Sequence, residues 1–229
     1  MAAIAVICLD LDRIQIEAAL SSLNFHNTPV VLILAGELHL PIPHIFYDSW
    51  IGDYQATRHL LDKGHREITV LAPFTASWVT ERINGIRQAC LGAGLPCRAL
   101  RVLTGSQQPW DHQGDPVLAG CESAEAAFPS GWIPSGGIIC VSDQVAFGLV
   151  RAASSRGWVA GRDFALVGFD DDPSSRTYGL TTLRPPLEAM GREAARVLLE
   201  VMSGEHSSHQ LRLRAHLIPR ITTDLHPTP

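Results

Sequence analysis

The sequence predicts an α/β protein of two doubly wound lobes, each built on a mostly parallel sheet. Two observations carry that reading. Apolar runs of strand length alternate with amphipathic stretches of 12 to 17 residues, as βαβ units do. Several of those runs are continuously apolar, the pattern of strands covered on both faces. About seven strands and five or six helices are too few and too irregular for an eight-fold barrel, and no internal repeat is evident.

The elements follow in order. Residues 3–9 (AIAVICL) read as a strand buried on both faces, and residues 12–23 carry Ile14, Ala18, Leu20 and Leu23 at helical spacing. TPVVLIL (28–34) is the next strand, with Pro29 at its entry, and IPHIFYD (42–48) is a shorter one. Residues 50–63 form a helix with Tyr54, Thr57, Leu60 and Leu61 inward, stopped by Gly64. REITVLA (66–72) is a strand, and residues 78–92 a helix with Ile83, Ile86 and Cys90 on one face. RALRVLT (98–104) is a strand, residues 106–118 a polar loop, and residues 120–127 a small helix. GGIICVS (136–142), a helix over 143–157 closed by Gly157, and the strand FALVGFD (164–170) come next. A loop rich in Ser, Thr and Gly leads to an amphipathic helix over 186–202, with Leu187, Met190, Ala194, Val197, Leu198 and Val201. LRLRAHLIPRITT (211–223) reads as one edge strand.

Composition narrows the function. The 229 residues are 46% hydrophobic and 18% charged, which fits a globular chain with a real core. The net charge of −5 gives no global attraction to nucleic acid, so a DNA contact would need a separate basic module. No apolar run reaches membrane-spanning length, and the start lacks a basic n-region, so neither a membrane span nor a signal peptide is expected. Five cysteines, an odd number without a CxxC pair, fit a reducing compartment, and the expected location is cytoplasmic. His206 and His209 fall in a Gly/Ser-rich turn and are read as solvated, with no metal site expected. There is no GxGxxG, P-loop or GxSxG, so neither a cofactor nor an enzyme is expected.

Candidate functional residues come from the strand ends, because ligands of open α/β sheets bind outside the carboxyl ends of the strands. Three ends present polar groups: Phe74, Thr75 and Ser77; then Ser142 and Asp143; then Asp170, Asp171 and Asp172. A carboxylate can accept two neighbouring hydroxyls, an arginine supplies the complementary donors, and an aromatic face covers a sugar ring. Asp170, Arg82 and Trp110 would together make such a polyol clamp. The competing reading is that the three aspartates cap a turn and that Asp143 N-caps its helix.

A longer pattern is similar to a known family. VSDQVAFGLVRAASSRGWVAGRDFALVGFDDDP resembles the C-terminal lobe of the LacI/GalR transcriptional regulators, where a small-residue–Asp pair opens a helix and the next strand ends in Gly-Phe/Tyr-Asp-Asp. LTTLRPPLEAMGREAARVLLEVMSGE resembles that family's Leu-Thr-Thr-x-x-x-Pro-x-x-x-Met-Gly segment, and YDSWIGDYQATRHLLDKGHREITVLA its Gly-His-Arg-x-Ile region. ERINGIRQACLGAGLP resembles its Arg-x-x-Gly helix, and LIPRITT its last strand.

The resemblance implies a periplasmic-binding-protein-like type I fold with an incomplete first lobe. Residues 1–71 and 185–212 would form that lobe, and residues 73–183 and 213–229 the other. It implies effector contacts at Arg82, at Asp170 and at Ser142, where many members carry Asn. Trp110 would match a pocket-lining aromatic, and Phe74 belongs to the same strand ends. The match begins at the family's third strand. The helix-turn-helix headpiece, the hinge and the first two βα units are therefore expected to be absent, leaving exposed sheet edges.

The function so implied is effector binding and dimerisation for a LacI/GalR-type regulator. Its partners would be a small-molecule effector, a sugar or related polyol or a nucleoside-like ligand, and a second copy as a homodimer. Operator DNA would be bound only through a headpiece. The alternative is a periplasmic sugar-binding protein of a transporter.

Overall fold

The computed structural model describes residues 3–9, 11, 13–22, 28–37, 41–104, 109, 114–128, 136–204 and 210–224. Its elements in chain order are β1 (Ile4–Cys8), α1 (Arg13–Ser22), β2 (Val30–Leu34), β3 (His44–Asp48), α2 (Ser49–Asp62), β4 (Ile68–Ala72), α3 (Ser77–Gly92) and β5 (Leu100–Thr104). They continue with α4 (Pro116–Ala127), β6 (Gly137–Cys140), α5 (Asp143–Ser154), β7 (Ala165–Phe169), α6 (Ser175–Tyr178), β8 (Thr181–Arg184), α7 (Leu187–Met202), β9 (Gln210–Arg214) and β10 (His216–Ile218). The chain divides into two compact units, Met1–Ser49 with Pro185–Ala215, and Trp50–Arg184 with His216–Pro229.

The first unit holds a four-stranded parallel sheet in the order β1-β2-β3-β9. Its centre is apolar because β2 and β3 are: Val31, Leu32, Leu34, Ile45 and Phe46 are all buried. Ile16 of α1 joins Cys8, Leu32, Leu34 and Phe46 in one cluster. Helix α7 buries Met190, Ala194 and Val197, the i, i+4, i+7 stripe that its periodicity predicts. Leu187, expected on that stripe, is exposed instead, being in the helix's first turn. Strand β1 departs further from expectation: Ile4 is 40% and Ile7 67% exposed. It is an edge strand with β2 on one side only, so an apolar run did not mean burial on both faces.

The second unit holds a six-stranded sheet in the order β10-β8-β7-β6-β4-β5, parallel except for β10 against β8. The residues of β4, β6 and β7 are buried throughout, as near-continuous apolar runs between two helical layers must be. Helices α4 and α5 pack backbone to backbone. A Cβ on Gly120 would lie 2.5 Å from the Val145 carbonyl oxygen, and one on Gly148 would collide with the Val117 oxygen and lie 2.6 Å from the Cys121 nitrogen.

Four expectations are corrected by these elements. The boundary of the first unit falls after Ser49, not near residue 71. Strand β4 is hydrogen-bonded between β5 and β6, and Leu60 of α2 lies over Gly137 of β6, so α2 and β4 belong to the second unit. The single C-terminal strand is two strands in different units, parted at Ala215. The loop after β7 contains β8, and α4 begins at Pro116 inside the expected polar loop. Asp115 caps that helix through Oδ1 to the nitrogens of Val117 and Leu118, at 2.9 and 3.1 Å.

Candidate functional site

Arg82 is placed by helix α3. Its buried face carries Trp78, Val79, Arg82, Gly85, Ile86, Ala89 and Cys90, so Trp78 and Arg82 stand one turn apart on the same side. The Arg82 guanidinium carbon lies 3.5 Å from the ring centroid of Phe169 and 4.6 Å from that of Trp78. Nη1 donates to the carbonyl of Val141. Phe169 ends β7 and Val141 follows β6, so one arginine ties together the ends of two strands and the helix after β4. Cation–π contacts of this kind hold best where water is excluded, and Arg82 is 3% exposed.

Gly85, one turn further along α3, lets the start of α2 approach. A Cβ there would run into the Trp50 carbonyl. The close approach brings Asp53 of α2 beside Arg82, with Oδ2 4.0 Å from Nε. Burial pushes the Asp53 carboxyl up to about 7, against the opposing pull of the Arg82 charge.

The block of three aspartates divides its work. Asp170 and Asp171 both have positive φ, 116° and 51°, a strained turn that Asp tolerates better than most residues. Asp170 is exposed at the tip of β7, and its N–H donates to the Leu183 carbonyl at 2.8 Å. Asp171 accepts from Arg184 Nε and Arg220 Nη2, each at 2.6 Å. Burial raises its carboxyl, but the hydrogen bonds and charges of the two arginines outweigh that, and the net shift is downward. Asp172 accepts from the Ser174 N–H at 2.8 Å, capping the turn. Turn-capping by Asp172, ion pairing by Asp171 and an exposed Asp170 therefore coexist in neighbouring residues.

Asp143 is not the helix cap that the sequence suggested. Ser142 caps α5, accepting from the Val145 N–H at 3.2 Å. Asp143 is fully buried and gathers the aspartate loop. Its Oδ2 accepts from Ser175 Oγ at 2.6 Å and the Asp172 N–H at 2.8 Å, and its Oδ1 from Thr182 Oγ1 at 2.6 Å. Gly168 makes room for that carboxylate, since a Cβ there would strike Oδ1. Burial pushes the Asp143 carboxyl up to about 6, against the three hydrogen bonds.

Of the residues singled out in the sequence, Phe74 and Arg82 share the aromatic cluster, while Ser142 lies two residues past β6 and Asp170 directly past β7. Phe74 reaches the cluster through Trp78, ring centroids 5.8 Å apart. Trp110 lies outside the described residues, as do His206 and His209. Arg66 donates to the Leu61 and His65 carbonyls at 2.7 and 3.0 Å, the work of the turn after α2. Sequence reasoning missed Asp53, Trp78 and Phe169. Asp53 had a signal, since it precedes Thr57, already placed inward, by one helical turn. The described residues hold no group of three or more potential metal ligands and no helix long and apolar enough to cross a membrane.

Residues 57–223 match the family model described as a periplasmic binding protein-like domain. An HTH-type transcriptional repressor, PurR of Actinobacillus pleuropneumoniae serotype 3, is 29% identical over 211 residues, covering 90% of this chain and 59% of the repressor. The chain thus spans under two thirds of the length of that curated relative. Among solved structures, a dimeric Lac repressor with an 11-residue C-terminal deletion superposes with a TM-score of 0.80 at 23% identity, covering 100% of this chain and 79% of the other. A LacI family transcriptional regulator from Enterococcus faecium with bound ribose superposes with a TM-score of 0.74 at 21% identity, covering 94% and 77%. At these identities the structural likeness speaks for the fold.

Proposed function

Because the chain belongs to the periplasmic binding protein-like domain family, we propose that it is an effector-binding domain of the LacI/GalR kind, as its repressor relative supports, and that its second unit binds a neutral, polyhydroxylated small molecule at the ends of β4, β6 and β7. The observation that carries this reading is the Arg82 guanidinium laid on the Phe169 ring, with Asp170 following Phe169 directly. A donor fork, an acceptor carboxylate and aromatic faces in one cluster suit a sugar or a nucleoside-like ligand. Ribose in one of the similar structures supports the sugar class. In a complete protein such a domain would govern operator binding by a helix-turn-helix segment, in the cytoplasm, as the repressor name of the relative supports.

Thermal unfolding against sugars and nucleosides tests the site. A ligand at 100 times its dissociation constant adds about 2.7 kcal/mol, roughly 5–10 °C at this size. That shift should vanish in both Asp170→Ala and Arg82→Gln. A shift that survives both substitutions, or a cooperative melt that no compound moves, counts against the assignment.

Homodimerisation belongs to the same reading. On the second unit Phe147 and Tyr178 stack with centroids 4.7 Å apart, and Tyr178 is 47% and Ile221 62% exposed. Val159 extends this apolar patch, which is the kind of surface that a second copy covers. The dimeric state of the similar Lac repressor supports it. Sedimentation should show a dimer that Tyr178→Glu converts to monomer. A monomer in the unsubstituted protein would refute this part.

A further inference from the structure

Asp53 is a buried acid that the effector reading leaves unused. It sits on the inward face of α2, 1% exposed, and its Oδ2 accepts no hydrogen bond from the described residues. Arg82 Nε stands 4.0 Å from that oxygen. This is too long for a hydrogen bond but short enough for strong coulombic attraction in a water-poor site. The pairing thus offsets the charge of Arg82 without using one of its donors. A guanidinium stays charged at every accessible pH, and a buried one without a counter-charge is a ready anion site.

We propose that Asp53 is a specificity-determining residue of the effector site, whose carboxylate balances Arg82 so that the site accepts uncharged polyols and rejects anionic ones such as sugar acids and sugar phosphates. The inference rests on Arg82 being an effector contact. Asp170, exposed on the β7 tip directly after Phe169, is the other carboxylate of the proposed site.

The test uses matched probes, galactose with galacturonate and ribose with ribose 5-phosphate, titrated calorimetrically into the whole chain and into Asp53→Asn. The preference for the neutral member of a pair should fall by about tenfold or more in Asp53→Asn, as one like-charge repulsion is removed. Affinities for both members falling together, with the preference unchanged, would show a merely structural role and overturn the proposal. If the unsubstituted protein binds no probe, the effector reading fails separately. Asp53→Asn must then still gain galacturonate or ribose 5-phosphate binding that adding Arg82→Gln abolishes, and no such gain overturns the inference.

Should Asp53→Asn not fold, pH makes the same change in the unsubstituted protein. Asp53, pushed up to about 7 by burial, takes a proton between pH 8 and pH 6, while galacturonate stays ionised. Among the described residues, Arg82, from α3, is the charged group that faces it. Asp143, at the start of α5, titrates at about 6, the lower edge of that window. Galacturonate affinity should rise across the upper half of the window while galactose affinity stays flat. A flat galacturonate profile refutes the proposal.

Discussion

Asp143→Ala lowers the melting temperature by roughly 6–12 °C, the equivalent of about 3 kcal/mol in a protein of this size. The substitution leaves Ser175 Oγ, Thr182 Oγ1 and the Asp172 N–H facing a void where a carboxylate received all three. Ser175 and Thr182 are fully buried, so water does not readily replace the lost acceptor. The loss is also local to the site. The Asp172 N–H is anchored by this carboxylate, and Thr182 Oγ1 in turn accepts from the Asp171 N–H at 3.3 Å. The positive-φ turn that presents Asp170 therefore loosens with the hub, and ligand affinity should fall along with stability. Differential scanning calorimetry checks the first effect, and titration with the best ligand checks the second.

The same carboxyl sets a pH dependence. Its folded-state value, about 6, lies above the ordinary aspartate value near 3.8, and that of Asp53, about 7, lies higher still. Both folded-state carboxyls hold their protons more tightly than unfolded ones do. Their contribution is complete below about 3.8 and is lost as pH rises through 6 and then 7. Stability should therefore increase as pH falls from 8 to about 5. Asp171 opposes this at lower pH, because its depressed carboxyl value makes its contribution one that is lost in acid. Asp143→Asn should flatten the part of the profile near pH 6 and leave the part near pH 7.

Gly148→Ala is the second large effect, with an expected loss of roughly 3 kcal/mol. The added Cβ collides with the Val117 oxygen and sits 2.6 Å from the Cys121 nitrogen and 2.9 Å from the Gly120 carbon, all backbone of α4. No side-chain rotation relieves a backbone clash, so α4 must back away from α5 and open the packing between them. Gly191→Ala provides the contrast. That helical glycine has nothing within 4 Å and no positive φ, so alanine should stabilise the protein by about 0.5–1 kcal/mol. Equal effects at the two positions, measured by denaturant unfolding, would contradict the close helix contact.

Much of this was legible before any coordinates. The runs around Val70, Ile139 and Val167 are apolar on both faces and became central parallel strands. The Arg-x-x-Gly motif singled out Arg82, which α3 lays on the Phe169 ring, and the Gly-Phe-Asp-Asp motif singled out Asp170, which follows that phenylalanine at the end of β7. What stayed hidden was long-range pairing. Nothing local distinguishes the apolar run of β1 from that of β4, yet one lies at a sheet edge and the other in the middle of a sheet. The TTLR of β8 is four residues long, within a stretch rich in Ser, Thr and Gly, and becomes a strand only beside β7 and β10. Asp143 looked like a cap because it opens a helix. Only the fold brings Ser175 and Thr182, more than thirty positions away in sequence, to its carboxylate.

The most direct measurement is a crystal structure of the protein soaked with the compound that raises its melting temperature most. The account predicts ligand hydroxyls within hydrogen-bond distance of Arg82 and of the Asp170 carboxylate, with the ring against the aromatic cluster that includes Phe169 and Trp78. A ligand seated elsewhere, such as the cavity of about 580 Å³ lined by Val102, Thr104, Ala119 and Glu122, would contradict it.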